Sequence, residues 1–254
     1  MGATCASCSE PTATEFDTAP TSKGPFIDAA GVAYSGEWQG QMKHGHGTQV
    51  WQDGAKYIGQ WVKNKAEGQG RFEHTDGDTY EGGWLDDRAH GYGVYVHSDG
   101  SRYEGQFVSD KQDGEGVETW PDGAQFTGLY KAGLKHGFGK FKWADGSSYE
   151  GQFEQNDIHG VGLYKWSGGR VYEGQWSKNK MHGKGIFTWS DGRQYDGEYV
   201  NDIKEGHGVF RWPDGRSYEG QWKSGKQDGT GVYINSAGEK RTGEWEAGER
   251  LRWT

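Results

Sequence analysis

The sequence predicts an all-β protein: an elongated, single-layer antiparallel meander of 23-residue β-hairpin repeats, about nine full copies and one partial. Three observations lead there. An aromatic residue opens each copy at a constant interval, at Tyr34, Tyr57, Tyr80, Tyr103, Phe126, Tyr149, Tyr172, Tyr195 and Tyr218, with no insertion between copies. The third position is always glycine, from Gly36 to Gly243, and the fifth always aromatic, from Trp38 to Trp245. Composition agrees with the period: 46 of 254 residues are Gly and only 31% are hydrophobic, yet the chain holds 13 Trp, 14 Tyr and 10 Phe. Disordered chains are poor in aromatics, so rings and glycines at fixed phase read as strands and turns.

The copy that starts at Tyr172 shows each element in order. Tyr172, Gly174 and Trp176 alternate at positions 1, 3 and 5 and share one face of a first strand. Gly185, Phe187 and Trp189, at positions 14, 16 and 18, do the same on a second strand. A glycine-containing loop at positions 7–12 is expected to join them into a hairpin, with strands of roughly five residues. Asp191-Gly192, at positions 20 and 21, is the dipeptide expected where the chain turns with positive φ into the next copy.

Glycine normally weakens a strand, so its recurrence needs a packing reason. Without side chains at positions 3 and 14, rings at 1, 5, 16 and 18 have room to lie flat across the sheet. Offset or edge-to-face ring pairs then add roughly 0.5–1.5 kcal/mol each. A single layer becomes stable because each copy leans on its neighbours. The opposite face carries Glu173, Gln175 and Ser177 and is expected to meet water, with a modest apolar seam at position 15 (Leu163, Ile186, Val209). Two strands per copy, at about 4.8 Å each, give about 10 Å per repeat and an array of roughly 90 Å.

The array occupies residues 34–254, with the partial copy starting at Arg241. Residues 1–33 are dominated by Ser, Thr, Pro and Ala and are expected to be a disordered tail. The tail begins with Gly2 after Met, small residues, no charge before Glu10, and two nearby cysteines. That start resembles an N-myristoylation site with palmitoylation at Cys5 and Cys8, although Ala6 stands where Ser or Thr is usual. One myristoyl chain holds a membrane only marginally, and a further acyl chain at Cys5 or Cys8 would complete the anchor. Two other readings stand beside it: an unmodified tail, and a C-A-S-C metal or redox pair, which has neither a second pair nor a thioredoxin-like setting.

Charge narrows the functions. Residues 1–33 hold one lysine and four acids, leaving 27 bases against 33 acids in the array. An acidic body argues against nucleic-acid binding, which needs a basic stripe to displace counterions, and makes unaided binding to anionic lipid weak. No apolar run is long enough to span a membrane as a helix, and the start lacks the regions of a secretory signal.

Two columns invite chemistry. His44, His90, His136, His159 and His182 share position 11, where other copies have Glu67, Asp113, Glu205 and Asp228. Same-column residues stand about 10 Å apart, too far for one metal with bonds of about 2 Å. The column reads as loop residues bonding the hairpin turn. Asp53, Asp76, Asp99, Asp122, Asp145, Asp191 and Asp214 form an exposed row in turns, where Asp is favoured for local hydrogen bonds. No phosphate loop, triad or serine elbow is present. No enzyme activity, metal or cofactor is expected.

The motif YEGQW…HGxG…W.DG resembles the MORN (membrane occupation and recognition nexus) repeat over residues 34–254. The resemblance implies an elongated, twisted sheet of hairpins whose aromatic face forms a groove. Family members act as scaffolds at apicomplexan and kinetoplastid membrane cytoskeletons, in ciliary radial spokes, at membrane junctions, and appended to lipid kinases. Some dimerise, and a retinophilin-like member binds a myosin tail.

Aromatic residues are common interface anchors, so exposed ring edges are expected to line a groove for a partner's amphipathic helix or peptide. Copies five to eight keep both rings of the second strand and are the place to look first. Elsewhere Gln49 and Glu118 replace the ring at position 16, and His74 and His97 the Trp at 18. The candidate groove is Tyr149, Phe153, Tyr164, Trp166, Tyr172, Trp176, Phe187, Trp189, Tyr195, Tyr199, Phe210 and Trp212. The expected function is a non-catalytic scaffold at the cytoplasmic face of a membrane or its cytoskeleton, held by acyl chains and recruiting a cytoskeletal or motor protein. The expected partners also include a second copy of the chain, as a homodimer. The alternatives are an axonemal, radial-spoke-like component of a cilium or flagellum, and a regulatory module of a phosphoinositide kinase.

Overall fold

The computed structural model describes residues 21–254. The acylation motif at Gly2, Cys5 and Cys8 lies outside the described residues. Regular structure among the described residues is all β-strand, and it falls into two compact units, one ending at Gly93 and one running from Val94 to Thr254.

In the first unit, β1 (Thr21–Ile27), β2 (Ala33–Gln39), β3 (Met42–Val50), β4 (Lys56–Val62), β5 (Lys65–Glu73) and β6 (Thr79–Leu85) each pair antiparallel with the next. The strand β7 (Arg88–Val96) spans the boundary between the units. In the second unit the same consecutive pairing runs from β8 (Arg102–Val108) to β21 (Glu249–Trp253). Each repeat supplies a seven-residue and a nine-residue strand, as in β14 (Val171–Ser177) and β15 (Lys180–Thr188).

The strands are longer and the hairpin loop shorter than the sequence pattern suggests. Only positions 7 and 8 form the turn. Lys178 and Asn179 there have φ of 49° and 65°, the two positive angles of a type I′ turn, whose twist matches that of the flanking strands. Positions 9–12, read from sequence as loop, are already strand. Their irregularity is a bulge at Gly183, whose φ is 67°. The register jumps there from Gly174 opposite Gly185 to Trp176 opposite Met181, which brings position 10 across from the position-5 ring. Glycine suits such a bulge because φ is positive.

The N-terminal boundary also needs correction. Residues 21–27, expected to belong to a disordered tail, form β1, with Phe26 opposite Tyr34. Counting back one period, Gly24, Phe26 and Gly31 fall at positions 14, 16 and 21 of a preceding copy. The segment has the phase of a repeat's second half, but its register slips so that Lys23 rather than Gly24 stands opposite Gly36. Its Phe26 ring packs edge-on against Trp38 at 5.8 Å.

In each unit the core is a row of rings at positions 1 and 5. Tyr34, Tyr57, Tyr103, Tyr149, Tyr172, Tyr195, Tyr218 and Phe126 are all essentially solvent-free. Each position-1 ring lies over the glycine pair at positions 3 and 14, and its hydroxyl, where present, donates to the backbone, as from Tyr172 to the Gln175 carbonyl at 3.0 Å. The position-5 rings do not lie flat as expected; they stand edge-on to the position-1 rings on both sides. Tyr172 meets Trp176 of its own copy at 5.0 Å and Tyr199 of the next at 5.4 Å, with planes near perpendicular. Edge-to-face contact suits the ring quadrupole better than a face-to-face sandwich.

Neighbouring copies are also clamped through the backbone. Position 8 donates its N–H to the position-10 carbonyl of the preceding copy, and an Asn or Asp side chain returns the bond. Asn179 N–H reaches Ile158 O at 3.0 Å, and Ile158 N–H reaches Asn179 Oδ1 at 2.7 Å. Where Gly225 takes the position, the backbone bond to Lys204 O remains at 2.9 Å.

Candidate functional site

A second row of rings, at positions 16 and 18, lies beside the core row. In the second unit it is an unbroken ribbon from Trp120 to Trp212. Trp120 stacks on Phe141 at 5.3 Å and Phe141 on Trp143 at 4.5 Å. Trp143 stacks on Tyr164 at 5.1 Å, followed by Tyr164–Trp166 at 4.3 Å and Trp166–Phe187 at 5.5 Å. Phe187–Trp189, Trp189–Phe210 and Phe210–Trp212 continue at 4.5, 5.5 and 4.6 Å. The tryptophans of this ribbon stay half-buried. Guanidinium groups of Arg170, Arg193 and Arg216 sit 5.4–5.6 Å from Trp166, Trp189 and Trp212, at one edge of the ribbon.

The residues expected to line a groove therefore divide. Tyr149, Phe153, Tyr172, Trp176, Tyr195 and Tyr199 belong to the core row and are buried, as are the position-16 rings Phe187 and Phe210. Tyr164, Trp166, Trp189 and Trp212 keep exposed area. Only these four offer much surface to a partner. Trp176 also spends its indole N–H inside the fold, on Gly162 O at 3.2 Å.

Position 10, which the sequence pattern placed in a loop, is the column this site depends on. Lys43, Lys135 and Lys204 occupy it and turn their ammonium groups in among the rings. Lys204 Nζ lies 4.9 Å from Trp189, 5.0 Å from Tyr195, 4.9 Å from Phe210 and 4.9 Å from Trp222. No carboxylate among the described residues pairs with it. Burial lowers its pKa to about 8, while four ring faces favour the cation. Lys135 has a carboxylate: its Nζ is 2.7 Å from Glu118, which also accepts from the Tyr130 hydroxyl at 2.9 Å. Lys43 donates to Gln49 Oε1. The two departures at position 16, Gln49 and Glu118, are thus partners of inserted lysines. A cation repeated at position 10 beside a missing ring was the available signal.

The remaining columns are structural. Each Asp of the turn row accepts from the backbone N–H two residues on, as Asp145 does from Ser147 at 2.8 Å and Asp53 from Ala55 at 3.0 Å. In the position-11 column the acids bond the turn of the following copy, as Glu205 does with Ser224 N–H at 2.9 Å and Asp113 with Ala132 N–H at 3.0 Å. The histidines of that column make no such bond to the following turn among the described residues; His159 Nε2 instead faces Glu154 at 3.5 Å. No group of three His, Cys, Asp or Glu side chains among the described residues is placed to hold a metal ion.

Comparison with known proteins agrees with the repeat geometry. The MORN repeat model matches nine successive segments, 34–56, 57–79, 80–102, 103–125, 126–148, 149–169, 172–192, 195–215 and 218–239. No curated protein sequence matches the chain. Among solved structures, the TCP10 domain of Danio rerio CPAP in complex with a STIL peptide aligns with a TM-score of 0.48 and 10% identity, covering 93% of this chain and 99% of that one. The SAS-4 TCP domain of Drosophila melanogaster, in complex with a proline-rich motif of Ana2, gives 0.37 and 12%, covering 74% and 94%. At these scores the likeness carries no weight for function.

Proposed function

Because the chain belongs to the MORN-repeat family, we propose that it is a non-catalytic scaffold whose aromatic ribbon holds an amphipathic helix or peptide of a cytoskeletal or motor protein. The same reading assigns the acylated N-terminus, at Gly2, Cys5 and Cys8, to holding the array at a membrane. One observation carries the groove: the half-exposed ribbon from Trp120 to Trp212 runs across five copies, while the row beside it is sealed. A partner lying along it would bury apolar ring area at regular intervals, which suits an extended or helical segment with repeated anchors.

The test separates the two ring rows. Replacing Trp143, Trp166 and Trp189 together by Ser should abolish recovery of partners from native cells, with the circular dichroism spectrum and the buried row intact. Partner recovery unchanged in the triple variant would sink the groove. Intact mass of the protein from eukaryotic cells tests the anchor, which an unmodified Gly2 would rule out.

A further inference from the structure

In the copy that starts at Tyr57, position 10 is Ala66, and a cavity of about 320 Å³ opens beside it, lined among others by Trp51, Tyr57, Phe72, Trp84 and Asp87. The four rings hold the same repeat positions as the four around Lys204. Their spacing is the same as well. Trp51–Phe72, Tyr57–Trp84 and Phe72–Trp84 stand at 5.5, 5.0 and 6.2 Å. The corresponding pairs Trp189–Phe210, Tyr195–Trp222 and Phe210–Trp222 stand at 5.5, 5.0 and 6.1 Å. One cage is filled by the chain's own lysine. The other is built alike, but its position-10 side chain ends at Cβ.

We propose that the Ala66 cage is a binding site for an alkylammonium group, the lysine side chain of a protein partner, methylated or not. The inference rests on the reading of the aromatic face as a protein-docking surface, and it names the chemistry of one anchor.

The occupant follows from what the same chain does elsewhere. Around Lys204, four rings hold an ammonium with no carboxylate among the described residues in reach, and although burial lowers its pKa to about 8 the group stays charged at neutral pH. Ring faces attract cations through their quadrupole, and more strongly when water is excluded. Charge complementarity agrees. Asp87 lines the cavity, its Oδ1 accepting from Ala66 N–H at 2.7 Å, and the whole chain carries a formal −9. The opposing charge is Lys43, which also borders the cavity; its ammonium sits over Trp61 at 4.8 Å and donates to Gln49. The space left by Ala66 suits a slender aliphatic stem with a cationic tip, which Lys204 supplies in its own copy.

The test uses N-acetyl-lysine methylamide, its trimethyl-lysine form, and the neutral isostere N-acetyl-norleucine methylamide, titrated into the full chain. The readout is the ¹H–¹⁵N indole resonances of Trp51 and Trp84. Both amines should shift these resonances saturably, about tenfold more tightly than norleucine, and the tighter of the two identifies the preferred methylation state. Ala66→Lys, which places in this cage the residue the fold already accepts at 204, should abolish the shifts. Lys204→Ala should create a second responsive site at Trp189 and Trp222. Equal binding of norleucine, or shifts that survive Ala66→Lys, would overturn the proposal, as would a silent Lys204→Ala cage. Failure here is distinct from failure of the groove reading: the Trp143, Trp166 and Trp189 variant leaves this cage untouched and reports on partner recovery alone.

Discussion

The ring of Tyr172 lies so close over Gly185 that a Cβ on that glycine would sit 2.3 Å from the phenolic oxygen and 2.5 Å from Cε2. A Cβ on Gly174, across the hairpin, would meet the same hydroxyl at 2.6 Å and the Gly185 Cα at 2.5 Å. The glycine pair is the floor on which the core ring rests. Gly185→Ala must therefore push the ring off the sheet, at a cost of about 1–3 kcal/mol or more for overpacking. Gly168→Ala, where a Cβ meets nothing within 4 Å, should change stability by less than about 0.5 kcal/mol. Paired denaturation curves, with hydrogen exchange to localise the loss, check the contrast. A Gly185→Ala variant as stable as Gly168→Ala would contradict it.

The hydroxyl of Tyr172 matters less than its ring. Tyr172→Phe removes the bond to Gln175 O and should cost about 0.5–1.5 kcal/mol. Phe126 already holds this column without a hydroxyl and is fully buried, so the variant should keep its fold and its partner.

The two ring rows should separate in a truncation experiment. Trp176 is 6% exposed, and its loss to Ala should cost about 3–5 kcal/mol. Trp166 is half-exposed, and Trp166→Ala should cost less than half of that. Its larger effect should appear in partner affinity, read by titration of the recovered partner.

The clamp between copies predicts an order among variants at one turn. Asn179 has φ of 65° and accepts from Ile158 N–H. Asn179→Gly keeps the backbone conformation and loses two side-chain bonds, the one accepted from Ile158 N–H and the one donated to Asp157, for about 1–2 kcal/mol. Asn179→Ala adds the strain of a left-handed non-glycine residue, and should melt lower than the glycine variant.

Buried tyrosines make the fold sensitive to alkali. Burial pushes the hydroxyls of Tyr34 and Tyr218 up to about 12, and those of Tyr149, Tyr172 and Tyr195 higher still. These folded values lie above the unfolded value near 10. Their stabilising contribution is full below pH 10 and is lost as the pH rises through 12. The urea midpoint should fall steeply between pH 10 and 12. Lys204 has the opposite sign. Its folded pKa, about 8, lies below the 10.5 of a free lysine, so the penalty of burying its ammonium is present below pH 8 and fades towards pH 10.5. The stability gap between wild type and Lys204→Met should therefore narrow across that window.

The repeat, its period and its aromatic face were legible because side-chain direction alternates along a strand, so the phase of Tyr172, Gly174 and Trp176 alone places them together. The Asp-Gly turns were legible too, since Gly192 with φ of 88° needs the freedom that glycine has. The half-repeat at Gly24, Phe26 and Gly31 was present in the same phase but lacks the Trp that marks other copies. Which rings are sealed and which remain open was decided only in three dimensions. Tyr172 is boxed edge-on by Trp176 and by Tyr199 of the next copy and is sealed, whereas Trp166 meets Phe187 of the next copy only at a tilt and stays half-exposed; that difference lies between repeats, where periodicity within one chain segment says nothing. The position-10 cages were hidden for a related reason. The bulge at Gly183 shifts the register so that Met181, and by the same geometry Lys204 and Ala66, stands across from a position-5 ring. Sequence spacing fixes the face of a side chain, but only the closed register fixes what it meets there.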